Sequence, residues 1–341
     1  MESAAGKYYI ASGYGSREGV PDMVVFRECE NGKMKAEQRI YCGGGPSYLA
    51  AAGSAGKGAA ELYVSLEYSS EVAGFLWSPS DRKVQMKSRI RICGQGLCHL
   101  SVAEQGSLIY GSCYGSGDFF ALDTEQQKVI WKQKIQDMDS GKRAEGEPHA
   151  HCISLMDDQA VFLTDLGLSD VRGLCLKNGI PGEELCRLEV KAEEGPRQFL
   201  PFQSGSRAVV INEKGNTFSV WSISREGSRW IPERLYTRKT TGKSGENWPG
   251  GAQVWKERIL FAANRGADTI AAFDLEDSGR MIGEWDAGGI YPRHILVAEE
   301  GLLFAACQKS GEIVSMRWNG SGLCICDRLA LPGAACIMGL A

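Results

Sequence analysis

The chain has 341 residues, a mass of 37.1 kDa and a net charge of −4 from 38 basic and 42 acidic residues. This balance argues against nucleic acid or an anionic membrane surface as the main partner, and no apolar run approaches the roughly 20 residues that span a bilayer. The N-terminal "MESAAGKYYIASGYG" shows no basic segment followed by an apolar one, so we expect no signal peptide and a cytoplasmic location.

Short strands dominate the pattern of the sequence. Glycine is frequent (43 residues) and proline is not (11), and β-branched or aromatic runs alternate with clusters of Gly, Asn, Asp and Ser. This alternation predicts an all-β protein. The 12 cysteines contain no C-x-x-C pair, which favours reduced, buried thiols over a zinc site. We predict no metal and no cofactor.

The first strands are predicted in "KYYIASGYG" (7–15) and "DMVVFRECE" (22–30). A repeated unit follows, made of a P-x-(H/Y/Q) element, a turn, an apolar strand, a polar turn and a second strand. Its six copies cover residues 45–75, 96–122, 148–174, 195–221, 249–273 and 292–316. The corresponding residues of the first element are Tyr48, His99, His151, Gln198, Gln253 and His294, which follow one another at intervals of 41 to 55 residues.

Six copies and the N-terminal strands make seven units of about 49 residues each, the size of a four-stranded propeller blade. We therefore predict one seven-bladed β-propeller domain over residues 1–341, with antiparallel blades. The apolar C-terminal segment "GAACIMGLA" (333–341) is predicted to join the N-terminal strands in one blade and close the ring.

All four histidines, His99, His149, His151 and His294, lie in the segment that leads into the innermost strand or lies on it. In a propeller such segments converge on the central channel, where Arg197 and Arg293 are also expected. Imidazole beside guanidinium suits an anionic ligand and proton transfer near neutral pH. Alternatively, each histidine only holds neighbouring blades together.

A second set of polar residues follows the next strand of several repeats. Asp165, Glu213 and Arg265 occupy nearly equivalent places, as does Glu67. These residues are predicted either to face the same pocket or to be solvated charges in turns.

Five segments, taken together, resemble the lactonase family of seven-bladed β-propellers, which includes the cycloisomerase-type bacterial 6-phosphogluconolactonase. They are "PHAHCISL…VFLTDLG" (148–167), "GPRQF…VINE" (195–213), "FAANRGADTIAAF" (261–273), "YPRHILV" (291–297) and "CHLSV…YGSCYGSG" (98–117). Gln198 stands where the family often has histidine, Gln253 where many members have glutamate, and "LSDVR" follows "DLG" where the family has another spacing.

The resemblance implies hydrolysis of 6-phospho-D-glucono-1,5-lactone to 6-phosphogluconate, a step of the pentose phosphate pathway. It also implies catalytic roles for His151 (or His149), Arg197, Glu213 and Arg265. Either His151 or Glu213 would activate water, with histidine preferred, and the arginines would stabilise the oxyanion or hold the phosphate. The predicted substrate-binding residues are His99, His149, Asp165, Arg293 and His294.

The expected partner is a phosphorylated sugar lactone, bound by a monomer or weak homodimer. Two alternatives remain open at this point. One is a lactonase or cycloisomerase that acts on another carboxylated lactone, as a fungal branch of similar fold does with carboxymuconate. The other is a non-catalytic propeller that binds a ligand or a protein.

Overall fold

The computed structural model describes residues 7–15, 17–52, 60–103, 106–139, 146–157, 159–227, 229–298 and 300–340. These residues form seven antiparallel sheets of four strands each. The two helical segments, Glu30–Gly32 and Ile135–Asp137, are single 3-10 turns. No helix in the described ranges therefore has the length or the apolar content to cross a bilayer.

The strands are numbered in chain order and the sheets are called blades I to VII. Blade I contains β1 (Tyr8–Gly13), β2 (Met23–Glu28) and β3 (Met34–Ile40), and blade II contains β4 (Pro46–Ala51), β5 (Ala60–Leu66), β6 (Glu71–Ser78) and β7 (Lys83–Arg91). Blade III contains β8 (Leu97–Val102), β9 (Leu108–Cys113), β10 (Asp118–Asp123) and β11 (Lys128–Gln133), and blade IV contains β12 (Ala150–Asp157), β13 (Ala160–Asp165), β14 (Asp170–Lys177) and β15 (Ile180–Leu188). Blade V contains β16 (Pro196–Phe202), β17 (Arg207–Asn212), β18 (Thr217–Glu226) and β19 (Arg229–Lys239). Blade VI contains β20 (Trp248–Trp255), β21 (Ile259–Arg265), β22 (Thr269–Asp274) and β23 (Arg280–Asp286), and blade VII contains β24 (Pro292–Val297), β25 (Leu302–Cys307), β26 (Glu312–Trp318) and β27 (Leu323–Ala330). The last strand, β28 (Ala334–Leu340), returns to blade I.

The ring closes as the sequence predicts, with strands from both ends of the chain in one blade. β28 pairs antiparallel with β1, with Ile10 opposite Met338, and the strand order of blade I is β28-β1-β2-β3. β28 is therefore the innermost strand of blade I, and the prediction of a closed seven-bladed propeller is confirmed.

Burial differs systematically between the second and the outermost strands. The second strand of blade VII, "LLFAAC" in β25, is buried along its whole length, because neighbouring blades cover both of its faces. The outermost strand of blade V, "RWIPERLYTRK" in β19, is mostly exposed and polar. Aromatic rings fill the space between blades, and Phe162 of blade IV stacks on Phe199 of blade V with centroids 4.0 Å apart. A continuous apolar run is thus the signature of a strand between two blades.

The innermost strands begin with a β-bulge, in which two residues lie opposite one. In blade V, Pro196 pairs with Asn212 and Gln198 with Ile211, so that Arg197 is the extra residue. The same shift makes His151 the extra residue of β12 and Arg293 that of β24. Such bulges turn the extra side chain out of the normal alternation of a strand.

The register defines two layers of residues around the channel. The bulge layer consists of Ser47, Cys98, His151, Arg197, Gly250, Arg293 and Ala335. The second layer consists of Tyr48, His99, Cys152, Gln198, Gly251, His294 and Cys336. The equivalence inferred from the repeats is therefore wrong at two places, because His151 belongs with Arg197 rather than with His99, and Gly251 replaces Gln253.

Candidate active site

The site lies at the upper face, defined as the face at which the innermost strands begin and the second strands end. A cavity opens there, at the mouth of the channel, with an empty volume of about 400 Å³ that includes the solvent-filled space at its entrance. Its lining residues come from the two layers and are Ser47, Tyr48, Cys98, His99, His151, Arg197, Gln198, Gly251, Arg293, His294 and Ala335. Blades far apart in sequence thus contribute to a single polar cavity.

Arg197 connects a histidine with a carboxylate. Its Nη1 lies 2.6 Å from Nε2 of His151 and 2.6 Å from Oε2 of Glu213. A guanidinium group only donates hydrogen bonds, so Nε2 of His151 accepts and the proton of the neutral ring lies on Nδ1. The lone pair that a general base would use is therefore occupied by Arg197.

Arg265 holds the other side of the same carboxylate. Its Nη2 lies 2.6 Å from Oε2 of Glu213, while Nε and Nη2 donate to the carbonyl oxygens of Trp248 and Pro249 at 3.1 and 2.9 Å. Its guanidinium also lies over the ring of Tyr291, at 5.3 Å from the centroid. These contacts fix Arg265 to the backbone of blade VI, whereas the hydrogen-bond partners of Arg197 in the described part of the chain are the side chains of His151 and Glu213.

A second arginine–glutamate pair, Arg293 and Glu67, comes from blades VII and II. Nη2 of Arg293 lies 3.8 Å from Oε2 of Glu67, and the guanidinium lies 5.1 Å from the centroid of the Tyr14 ring. The Tyr14 hydroxyl donates to the same Glu67 oxygen at 2.5 Å. Tyr14 and Glu67 follow the second strands of blades I and II, at positions equivalent to that of Glu213 in blade V.

The channel cluster, defined as Arg197, Arg265, Arg293, Glu67 and Glu213, carries three guanidinium groups and two carboxylates, which leaves one positive charge. Burial alone would raise the pKa of Glu213, but Arg197 and Arg265 lower it below its usual value. Burial and the charge of Arg197 lower the pKa of Arg265 to about 10. The excess positive charge makes this cluster suited to an anionic ligand.

All three cavity histidines are neutral at physiological pH. Burial, together with Arg197, holds the pKa of His151 well below its usual value. Burial and the nearby His294 lower the pKa of His99 to about 3, and burial and Arg197 lower that of His294 to about 4. The ring of Tyr48 lies 4.3 Å from that of His99 and 5.9 Å from that of His294. The uncharged rings of Tyr48, His99 and His294 thus line the cavity next to the arginine side chains.

Two of the predicted substrate-binding residues lie outside the cavity lining. His149 stacks on Tyr114 with centroids 4.4 Å apart, and its Nδ1 lies 3.0 Å from the Tyr114 carbonyl oxygen. Oδ1 of Asp165 accepts hydrogen bonds from the backbone of His149 and Leu168, both at 2.9 Å. Burial raises the pKa of Asp165. These residues hold a turn and support Tyr114, whose ring meets His151 edge-on at 5.8 Å.

The structure thus brings together the four residues predicted as catalytic, with Arg293, His99 and His294 beside them. Tyr14 and Tyr114 are not among the predicted site residues, although both occur in a recurring pattern. "SGYGS" (12–16) and "SCYGS" (112–116) share Ser-x-Tyr-Gly-Ser. A search for that pattern would have placed both tyrosines after second strands, at the position of Glu213.

Within the described ranges, no group of three or more His, Cys, Asp or Glu side chains could hold a metal ion. All twelve cysteines are free thiols, and Cys98 and Cys152 are buried beside the cavity. Burial raises the pKa of Cys98 to about 12 and raises that of Cys152. Neither thiol is therefore ionised at neutral pH, and neither is suited to act as a nucleophile.

Comparisons with known proteins agree with this architecture. An uncharacterized protein of Staphylococcus aureus is 27% identical over 262 residues, covering 70% of this chain and 74% of the relative. Further relatives from other strains of that species are 27% identical over 233 residues, and the match spans 66% of their length.

Solved structures share the fold over almost the whole chain. The periplasmic gluconolactonase PpgL of Pseudomonas aeruginosa has a TM-score of 0.85 at 18% identity, covering 98% of this chain and 99% of that one. A Bacteroides fragilis protein provisionally named 6-phosphogluconolactonase has a TM-score of 0.84 at 19% identity, covering 100% and 99%. The family model "Lactonase, 7-bladed beta-propeller" matches residues 8–325, and the chain belongs to this family.

Proposed function

We propose that the protein hydrolyses 6-phospho-D-glucono-1,5-lactone to 6-phosphogluconate. Membership of the lactonase family supports lactone hydrolysis, and the name of the Bacteroides fragilis neighbour supports a phosphorylated substrate. The observation that carries the proposal is the contact of Arg197 Nη1 with both His151 and Glu213, at 2.6 Å each. Arg197 thereby connects the proposed base, His151, to Glu213 and the rest of the channel cluster.

Binding of the lactone would redistribute the hydrogen bonds of Arg197. The carbonyl oxygen of the bound lactone accepts a hydrogen bond from this guanidinium, which then releases Nε2 of His151 before water attacks. Burial is the main cause of the low pKa of His151, and departure of Arg197 removes the largest of the neighbouring charges that lower it further. His151 thereby gains a free lone pair on Nε2 with which to accept a proton from water.

The chemical steps need no covalent intermediate. His151 takes a proton from water as the oxygen attacks the lactone carbonyl carbon, and Arg197 stabilises the tetrahedral oxyanion. The bond from that carbon to the ring oxygen then breaks, and the ring oxygen takes the proton from His151. The product is a carboxylic acid with a free hydroxyl, and the acid ionises in water. Glu213 remains a carboxylate throughout, because Arg197 and Arg265 lower its pKa, and it keeps Arg265 in place while the guanidinium of Arg197 turns from His151 to the lactone.

Hydrolysis of an unphosphorylated sugar lactone is the second candidate. The Pseudomonas aeruginosa neighbour is named a gluconolactonase, and the single net charge of the channel cluster matches one oxyanion without a phosphate. The twelve free thiols favour a reducing compartment, so we place the reaction in the cytoplasm as part of the proposal, in contrast to that periplasmic neighbour.

The test is a rate measurement with freshly prepared 6-phosphogluconolactone and gluconolactone. Acid release is followed by pH-stat, and the spontaneous rate in buffer is subtracted. We expect kcat/KM to be at least about tenfold higher for the phosphorylated lactone, since hydrogen bonds to charged groups contribute about 1.5–3 kcal/mol. A reversed preference would favour the second candidate. No acceleration of either reaction would favour a non-catalytic propeller.

A further inference from the structure

We propose that Arg293, supported by Tyr14, forms a separate subsite that receives the phosphate of the substrate, while Arg197 serves the reacting carbonyl group. This assignment rests on the proposed function for the identity of the substrate. The anion-binding property of the subsite itself can be tested without any reaction.

Arg293 differs from the other two arginines in the use of its donors. Nη1 of Arg197 is engaged by His151 and Glu213, and three contacts hold Arg265 to Glu213 and the backbone. The guanidinium of Arg293 makes no hydrogen bond to any described residue, and its nearest carboxylate oxygen is 3.8 Å away. An arginine that lines a cavity with open donors is prepared for a bidentate oxyanion such as phosphate.

The hydrogen bond from Tyr14 to Glu67 explains why Glu67 does not occupy the donors of Arg293. The Tyr14 hydroxyl donates to Oε2 of Glu67 at 2.5 Å, the same oxygen that faces Arg293. The Tyr14 ring also lies against the guanidinium, 5.1 Å from its centre, so that its face supports the planar group. Tyr14 thus both orients Arg293 and keeps the nearby carboxylate from closing the subsite.

The neighbours of Arg293 in the bulge layer do not compete for the hydrogen-bond donors of its guanidinium group. They are Gly250 in blade VI and Ala335 in blade I, neither of which carries a polar side chain. Gly250 is also required by packing, because a Cβ there would lie 2.7 Å from the Pro292 carbonyl oxygen and 2.9 Å from that of Arg293. By contrast, the neighbour of Arg197 in this layer is His151, which binds it directly.

The decisive variant is Arg293→Gln, with Arg229→Gln as the matched control on the exposed outer strand of blade V. Binding of 6-phosphogluconate, gluconate and inorganic phosphate is measured by calorimetry. We expect Arg293→Gln to weaken 6-phosphogluconate and phosphate binding by about 10- to 100-fold, the equivalent of one charged hydrogen-bonded contact. Gluconate binding should stay within about twofold, and Arg229→Gln should match the wild type.

Kinetics separate this subsite from the reacting centre. Arg293→Gln should raise KM for the phosphorylated lactone by a larger factor than it changes kcat or the kinetic parameters for gluconolactone. Glu67→Gln removes the competing charge and should tighten phosphate binding by about two- to fivefold, a gain that a purely structural role would not produce. If Arg293→Gln fails to fold, Arg293→Lys keeps the charge without the fork and should weaken phosphate binding by about tenfold.

The outcomes distinguish the two proposals. One outcome is that the wild type hydrolyses neither lactone and still binds phosphate. If Arg293→Gln then loses that phosphate binding, the subsite stands and the proposed function fails. If the wild type is a lactonase and Arg293→Gln keeps the full preference for phosphorylated ligands, the subsite is overturned. Equal weakening of gluconate and 6-phosphogluconate would likewise overturn it.

Discussion

Two clusters of arginine and carboxylate side chains in this protein have opposite character. The blade IV cluster consists of Arg172, Arg187, Asp139, Asp170 and Glu184. It has two arginines and three carboxylates, an excess of one negative charge, whereas the channel cluster has an excess of one positive charge. Arg172 is 1% exposed and all three of its nitrogens donate to carboxylates.

The difference lies in how completely the donors are used. In the blade IV cluster, every donor nitrogen of Arg172 already has a carboxylate partner. This cluster can therefore stabilise the blade but cannot accept a ligand. In the channel cluster, Arg293 keeps open donors and Arg197 is held only by side chains that can move. A network whose donors are all satisfied is suited to a structural role, and one with unused donors and an excess of positive charge is suited to an anionic ligand.

Removal of Arg197 should produce the largest effect, which is a decrease in the rate of lactone opening. We expect Arg197→Ala to lower kcat for lactone opening by about 10²–10³-fold, because it loses an oxyanion donor. Stability should change little, since Glu213 keeps Arg265 as a partner. The measurements are kcat by pH-stat and the urea midpoint of unfolding. An unchanged kcat would remove Arg197 from the chemistry, and an unchanged kcat in His151→Ala as well would discard the assignment of the base.

Removal of Arg172 should have the reverse effect. Arg172→Met leaves Asp170 buried with only Arg187 as a partner, and we expect a loss of roughly 3 kcal/mol in the free energy of unfolding. The kcat of the folded enzyme should be retained. Arg187→Met is the matched control, since Arg187 is half-exposed, and should cost less than about 1 kcal/mol. Equal losses in both variants would contradict the distinction between buried and exposed partners.

A smaller effect is expected on the pH dependence of stability. The pKa of His294 falls from 6.5 to about 4 on folding, so between these values the unfolded chain binds a proton that the folded protein excludes. Stability therefore decreases as the pH falls through this window, by about 1.4 kcal/mol per pH unit for each such histidine. His294→Gln should flatten the slope by that amount in urea titrations from pH 4 to 6.5.

Gln198→Asn is the control for this measurement, since Gln198 lines the same cavity and has no titratable group, and it should keep the wild-type slope. If His294→Gln also keeps the wild-type slope, burial of His294 does not exclude its proton.

The number of blades and the closure of the ring follow from features that the sequence carries locally. Apolar runs, turn residues and the spacing from Tyr48 to His294 define the units, and the apolar segment after Gly333 supplies the closing strand. Convergence of the histidines and arginines on the channel then follows from the radial geometry of a propeller.

The details of the site depend on information that is not local. The bulge that makes His151 equivalent to Arg197 exists only in the pairing with the second strand, so repeat spacing alone misplaces His151 by one residue. Asp165 lies at the last residue of β13, one position before the place taken by Glu213, and its carboxylate binds the backbone. The departure "LSDVR" proves to be a structural feature, since it supplies Asp170 and Arg172 to the blade IV cluster.

The closing strand has a consequence for synthesis of the protein on the ribosome. β28 is translated after all other strands of the propeller, yet it forms the inner wall of the first blade, and the backbone of Ile337 donates to Nδ1 of His294 at 3.4 Å. As long as Ala335 has not left the ribosome, the nascent chain has an incomplete pocket, however many blades have already folded. Completion of the cavity therefore requires the pairing of β28 with β1, whatever the order in which the other blades fold.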